Sequence, residues 1–249
     1  MKKTLLILCS LASAVSLASA QSTIVTYEAN DAAGNSDDGI NQNSQIVQVW
    51  TQTQSPTGGS GGGYGSWTML EPYAWQIWSY PDGNNVNGSI TETHTFAGGP
   101  LAVGQTVSLL FANSAINPPQ TVGIDLLNGS GSAIQFGFLG GGPNNYYYTD
   151  SSSSFASAGS MGFLYHSGFT VSITVTGAGT YSAVAGSDSW SGTFNGSLVG
   201  IDVFDNAGGN GSDVGFNDLS ISVPEPSTLA MLAVGSVGFF GWRRISRRA

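Results

Sequence analysis

Between residues 22 and 222 the apolar positions recur in twos rather than in threes and fours. The clearest run is Phe169-Thr170-Val171-Ser172-Ile173-Thr174-Val175, where each apolar residue but the last is followed by a hydroxyl residue. In an extended chain this sends apolar side chains to one face and polar ones to the other. Ten runs of this kind predict strands over 22–29, 45–53, 89–96, 106–111, 122–127, 134–139, 170–176, 181–185, 198–204 and 214–222. No stretch of this part sustains an apolar period of 3.6, and turn pairs such as Asn128-Gly129 and Asn195-Gly196 separate the runs. So many short strands without a fixed-period repeat predict an all-β fold, a two-sheet β-sandwich of jelly-roll type; a barrel or a solenoid is the alternative. The Gly/Ser-rich stretch 55–66 (SPTGGSGGGYGS) reads as a flexible loop within one domain, because 22–54 would supply barely three strands. Residues 151–154, four serines, read as a mobile loop tip.

The two ends follow another pattern. Lys2 and Lys3 precede an apolar run from Leu5 to Val15, and Ala18-Ser19-Ala20 is an A-x-A site. This predicts a signal peptide over 1–20, an apolar helix cut by signal peptidase between Ala20 and Gln21. Cys9 lies inside the apolar run and not at a cleavage boundary, which speaks against lipidation. At the other end, Pro224-Glu225-Pro226 is followed by an apolar stretch over 228–242 and then by Arg243, Arg244, Arg247 and Arg248. The arginines should stay on the cytoplasmic side, so that a single transmembrane helix crosses outward and leaves 21–226 outside. Fifteen residues at 1.5 Å each cover only ~22 Å of a ~30 Å hydrocarbon core, which suits a transient anchor. Pro224 and Pro226 lack an N–H and cannot extend a helix upward, so the motif should stand as extended chain at the membrane surface.

The ordered set of Pro224-Glu225-Pro226, apolar helix 228–242 and basic end 243–248 resembles the PEP-CTERM sorting signal. The resemblance implies recognition by an exosortase, an integral-membrane cysteine transpeptidase of Gram-negative bacteria. It also implies transient inner-membrane anchoring and transfer to the cell surface or outside, where exopolysaccharide and biofilm matrix are made. The organisation expected is therefore a signal peptide (1–20), an exported domain (21–222) and a sorting tail (223–249). The rival for the tail is a plain C-terminal membrane anchor. The segment 198–222 (LVGIDVFDNAGGNGSDVGFNDLSIS) resembles the closing hairpin of concanavalin A-like sandwich domains. That implies a lectin-like sandwich.

Charge narrows the function. All six basic residues are the terminal ones already named, and all fifteen carboxylates lie between Glu28 and Glu225, so the middle of the chain carries −15 and no Lys or Arg. Phosphate neutralisation, and with it nucleic-acid binding, is excluded. Cys9 is the only cysteine, so a chain cut after Ala20 has no disulfide, thiolate metal site or thiol nucleophile.

The candidate chemistry is sparse. Retaining glycosidases need two carboxyl groups about 5 Å apart; Glu28, Glu71 and Glu92 have no acidic partner two residues away, although carboxylates from different strands could meet. Gly58-Gly59-Ser60-Gly61-Gly62 fits G-x-S-x-G but has no helix after it. His94, in a threonine-rich run, reads as an exposed strand residue, and His166 as packing or surface; two histidines without cysteines do not make a zinc site. No cofactor is required. Calcium is the one candidate ion, at Asp205, Asn206, Asn210 and Asp213, with a second acidic loop at Asp31, Asn35, Asp37 and Asp38; turn formation explains the same residues. Trp67, Trp75 and Trp78 are candidate glycan-stacking residues, with core packing as the alternative, and Trp75 and Trp78 cannot share a strand face. The expectation is an exported, non-enzymatic surface or matrix protein with exopolysaccharide as its candidate ligand; the alternative is a secreted glycan-active hydrolase on the same fold.

Overall fold

The structure is a computed structural model that describes residues 21–27, 50–55, 62–67, 74–79, 88–114, 116, 118, 120–141, 146–161, 167–207 and 212–224. Among these residues there are fifteen strands and no helix. They are β1 (Gln21–Tyr27), β2 (Trp50–Ser55), β3 (Gly62–Trp67), β4 (Ala74–Ser79), β5 (Gly88–Thr95), β6 (Thr106–Asn113), β7 (Thr121–Asn128) and β8 (Gly131–Leu139), then β9 (Tyr146–Thr149), β10 (Ala156–Gly159), β11 (Phe169–Gly177), β12 (Thr180–Ala185), β13 (Asp188–Thr193), β14 (Gly200–Ala207) and β15 (Ser212–Pro224). The first sheet has the order β13-β12-β11-β6-β15-β4-β3, with β1 paired to β15; the second has the order β10-β9-β8-β7-β14-β5-β2. Residues 24–221 form one compact unit.

Alternation does what the sequence pattern requires. On β11, Phe169, Val171, Ile173 and Val175 are buried while Thr170, Ser172, Thr174 and Thr176 point away. Their partners Val107, Leu109 and Phe111 on β6 are buried in register. From the second sheet, Ile124, Leu126, Ile134, Phe136 and Phe138 enter the same core. Phe136 meets Phe111 edge-on with ring centroids 5.9 Å apart, and Trp50 of β2 meets Phe216 of β15 at 5.3 Å. Two hydrogen bonds bridge the sheets through this layer: Tyr146 Oη donates to Asn113 Oδ1 (2.7 Å), and Ser79 Oγ to Asp205 Oδ1 (2.8 Å). Apolar faces that interdigitate between two antiparallel sheets make a β-sandwich.

Each of the ten predicted runs overlaps a strand, with 28–29 and 45–49 outside the described residues, and five further strands, β3, β4, β9, β10 and β13, join them. The loop expected over 55–66 is corrected in part: residues 62–66 belong to β3, in register with β4. The serine loop at 151–154 is a hydrogen-bonded turn. Asp150 Oδ1 accepts from the Ser152 and Ser153 amides (2.7 and 2.8 Å) and from Ser152 Oγ (2.8 Å), and the Ser151 and Thr193 hydroxyls pair at 2.7 Å. The helices expected at 1–20 and 228–242 lie outside the described residues, as do Ala18, Ala20, Glu225, Pro226 and Arg243, Arg244, Arg247 and Arg248. Gln21 is the first residue of β1 and Pro224 the last of β15.

Candidate functional site

The outer face of the second sheet carries two adjacent rows of side chains, each running strand to strand in register. The first row is polar: Thr51 (β2), Thr93 (β5), Asp202 (β14), Asp125 (β7), Gln135 (β8) and Thr149 (β9). Two residues away along the strands, the second row is aromatic and glycine: Thr91, Phe204, Gly123, Gly137 and Tyr147. Alternation explains both, since Ile90, Ile124, Ile134, Phe136, Ile201 and Val203 take the inward positions of the same strands.

The aromatic row lies flat because glycines make room. A Cβ on Gly137 would stand 2.7 Å from Tyr147 Oη, and one on Gly123 would stand 2.9 Å from Phe204 Cζ and against the Phe136 carbonyl. The rings of Tyr147 and Phe204 therefore cover the two central glycines from either side. The Tyr147 hydroxyl is hydrogen-bonded with Thr121; burial and the nearby Asp125 charge raise its pKa. Phe155 packs on Tyr147 with centroids 4.6 Å apart and the rings tilted by 33°.

In the polar row Asp125 and Asp202 are direct cross-strand partners. Like charges so placed repel. Burial pushes the Asp125 carboxyl up to about 7; hydrogen bonds from Gln135 and Ser132 oppose the rise, and the Asp202 charge adds to it. Burial also raises Asp202, against a hydrogen bond from Thr93. One oxygen of each, Oδ1, is buried without a hydrogen-bond partner. Such oxygens are expensive to leave unmet unless the group is protonated. Burial thus favours the protonated Asp125 carboxyl, a hydrogen-bond donor, over the carboxylate.

The row continues into a small polar cleft of about 160 Å³ lined by Asn128, Ser132, Ala133, Thr149, Asp150 and Ser151, with Asn195 closing one side. A β-bulge between Leu126 and Leu127 in the β7–β8 pairing shapes this end. Asn128 Nδ2 donates to the Asn195 carbonyl (2.8 Å), so the two Asn-Gly turns form the cleft's rim. Asp150 anchors it: Oδ2 accepts from Tyr181 Oη (2.8 Å) and from the Thr193 amide (3.3 Å). Burial works against its ionisation, but the hydrogen bonds from Ser152, Tyr181 and Ser153 win and hold its carboxyl below the usual range.

The residues expected from sequence lie elsewhere. Trp67 and Trp75 belong to β3 and β4 of the first sheet, with side chains outside the described set; Trp78 of β4 is half-buried. Asp205 is fully buried on the inward side of β14 and receives Ser79 Oγ, while Asn206 is exposed on the other side, so these two do not converge. Asn210 lies outside the described residues, as does the Asp213 side chain. Among the described residues no group of three or more His, Cys, Asp or Glu side chains could hold a metal. His94 is corrected from exposed to buried: the threonines of β5 take the outer positions, leaving Ile90, Glu92 and His94 facing in, where His94 packs on Trp50 at 5.2 Å. His166 lies outside the described residues.

No curated protein matches the chain. Among solved structures, a protein of unknown function from Shewanella oneidensis MR-1 overlaps 90% of this chain and 95% of its own, with a TM-score of 0.48 and 13% identity. An alginate lyase from Corynebacterium sp. overlaps 68% of this chain and 75% of its own (TM-score 0.41, 15% identity). A lectin from Bauhinia forficata in complex with GalNAc overlaps 80% and 97% (TM-score 0.41, 11% identity). These overlaps assign no activity here. The family model for the PEP-CTERM protein-sorting motif matches residues 222–248. The C-terminal pattern is therefore a PEP-CTERM sorting motif, and the chain carries the tail of an exported protein.

Proposed function

We propose that this chain is a non-enzymatic cell-surface or matrix protein that binds a neutral polysaccharide on the outer face of its second sheet. Signal peptidase removes 1–20, and an exosortase-type transpeptidase acts on the tail while 228–242 holds it in the inner membrane. The observation that carries the binding reading is the polar row Thr93–Asp202–Asp125–Gln135, set beside an aromatic row on one face. Hydroxyl, amide and carboxyl groups in line match the alternating donors and acceptors of sugar hydroxyls. The absence of Lys and Arg from the whole stretch from Glu28 to Glu225 disfavours acidic polymers.

The test uses the mature protein purified from its own host, incubated with insoluble cellulose, xylan and β-1,3-glucan and with soluble alginate. Retention on a neutral polymer with no sugar released supports the reading; retention on none overturns it. Release of oligosaccharide assigns the alternative, a glycan hydrolase. One observation favours that alternative: Asp125, with a pKa of about 7, is suited to proton donation beside the opposed Asp202. Asp125→Asn and Asp202→Asn would each then abolish release.

A further inference from the structure

Phe155 breaks two rules at once. Its backbone is left-handed (φ 50°), a region that costs a bulky side chain dearly, and its ring is 58% exposed. A strained residue that gained burial would need no further account. Here the chain holds an aromatic ring in water in a conformation that Gly or Asn would adopt more readily. One side of the ring packs on Tyr147 and the other is left in water, and strained backbone of this kind clusters at functional sites.

The surroundings fix the ring in place. The turn before it is tied by Asp150, which accepts from the Ser152 and Ser153 amides, and the Phe155 amide itself donates to Thr149 Oγ1 at 3.2 Å. Below the ring is Tyr147, tilted by 33°, itself buried and pressed onto Gly137. Thr149 belongs to the polar row, and Tyr147 feels the charge of Asp125. The outward side of Phe155 is thus an apolar surface held on a rigid support, next to a line of hydrogen-bonding groups. A pyranose ring has this same division, with axial C–H groups on its face and hydroxyls at its edge. The Asp150 carboxylate at the start of the loop, held ionised by its hydrogen bonds, disfavours an acidic sugar.

We infer that Phe155, backed by Tyr147, is a stacking subsite for one pyranose ring of a neutral polysaccharide whose neighbouring hydroxyls bond to the polar row. The inference rests on the polysaccharide reading above. It makes the loop 150–155 a preorganised part of the binding face rather than a connection between β9 and β10.

Two variants of the full chain test it, with retention on the neutral polymer that the wild type binds and the thermal midpoint as readouts. Phe155→Asn keeps a residue that tolerates the left-handed backbone and removes the ring; Phe155→Trp keeps a ring. Phe155→Asn is expected to bind about tenfold more weakly while its midpoint rises by about 2–4 °C. Phe155→Trp is expected to bind within about threefold of wild type, since it keeps the stacking surface. Wild-type binding by Phe155→Asn overturns the subsite and leaves the polysaccharide reading standing. A lowered midpoint in Phe155→Asn makes the ring a packing element and overturns it too, as does equal loss in both variants. Failure of the wild type to bind any neutral polymer removes the polysaccharide reading and the subsite together.

Discussion

The two sheets of the sandwich carry very different side chains at their outward positions. On the first sheet the outward positions of β6 and β11 include two pairs of hydroxyls that satisfy one another, beside the apolar Leu110. Thr106 pairs with Thr174 at 2.7 Å and Ser108 with Ser172 at 2.8 Å, each across the strand boundary. Neither pair carries charge or leaves anything unmet. On the second sheet the equivalent central positions hold two opposed carboxyls with a buried, unpartnered oxygen each, and beside them rings laid over glycine. Both faces obey the same alternation, so the fold is indifferent to the choice between them. The first face carries its hydroxyls paired; the second costs stability through carboxyls taken out of water and unmet oxygens. Natural sequences break local consistency chiefly where function requires it, which is why the second face is the candidate site.

The comparison can be broken from the second face downward. Gly123→Ala is expected to have the largest effect, about 3 kcal/mol lost in urea unfolding. Its Cβ would run into the backbone carbonyl of Phe136 and the Phe204 ring, and a carbonyl cannot swing away. A loss under about 1 kcal/mol would mean that the rings are not seated on the glycines as described.

Asp125→Asn should act in the opposite direction. The folded-state pKa of Asp125, about 7, is raised above its ordinary value, so its contribution is fully present below about pH 4 and is lost as pH rises through about 7. Urea melts at pH 4, 6 and 8 should show the Asn variant gaining on wild type with pH, by on the order of 2 kcal/mol at pH 8. Parallel profiles for the two proteins would mean that the carboxyl pair is not strained.

Ser172→Ala on the first face is the smallest change and the control. It removes one satisfied hydroxyl pair and should cost about 0.5–1 kcal/mol at every one of those pH values. A pH-dependent cost there would erase the contrast between the faces.

The sequence made the framework legible and concealed the site. Runs such as 169–175 and 122–127 announce strands because burial imposes a period of two. Strand β3 is hidden in a glycine run, and β13 (DSWSGT) has a single large apolar residue to show. The calcium loop and the tryptophans drew attention because they cluster along the chain, whereas Asp125 and Asp202 meet only through strand pairing across two distant segments. A faint signal existed: Gly123-Ile124-Asp125 and Gly200-Ile201-Asp202 each set an acid into an apolar strand just after a Gly-Ile pair. Nothing in Ser151–Phe155 discloses a left-handed phenylalanine, because that backbone is imposed by the Asp150 turn and by β10 pairing to β9. The C-terminal motif was readable for the opposite reason: it is a linear signal that needs no folding to be recognised.

Strand order has a consequence for when such a chain completes its fold. Strand β14 lies between β7 and β5, and β15 between β6 and β4, so the last two strands to be synthesised are interior members of both sheets. Neither sheet can be completed until the residues of β14 and β15, up to 224, are available to pair. The sorting motif begins at the residue where the final interior strand stops, leaving no spacer. Completion of both sheets therefore waits on the last strand before the motif, and a chain clipped before residue 200 would have each sheet split in two, with exposed edges.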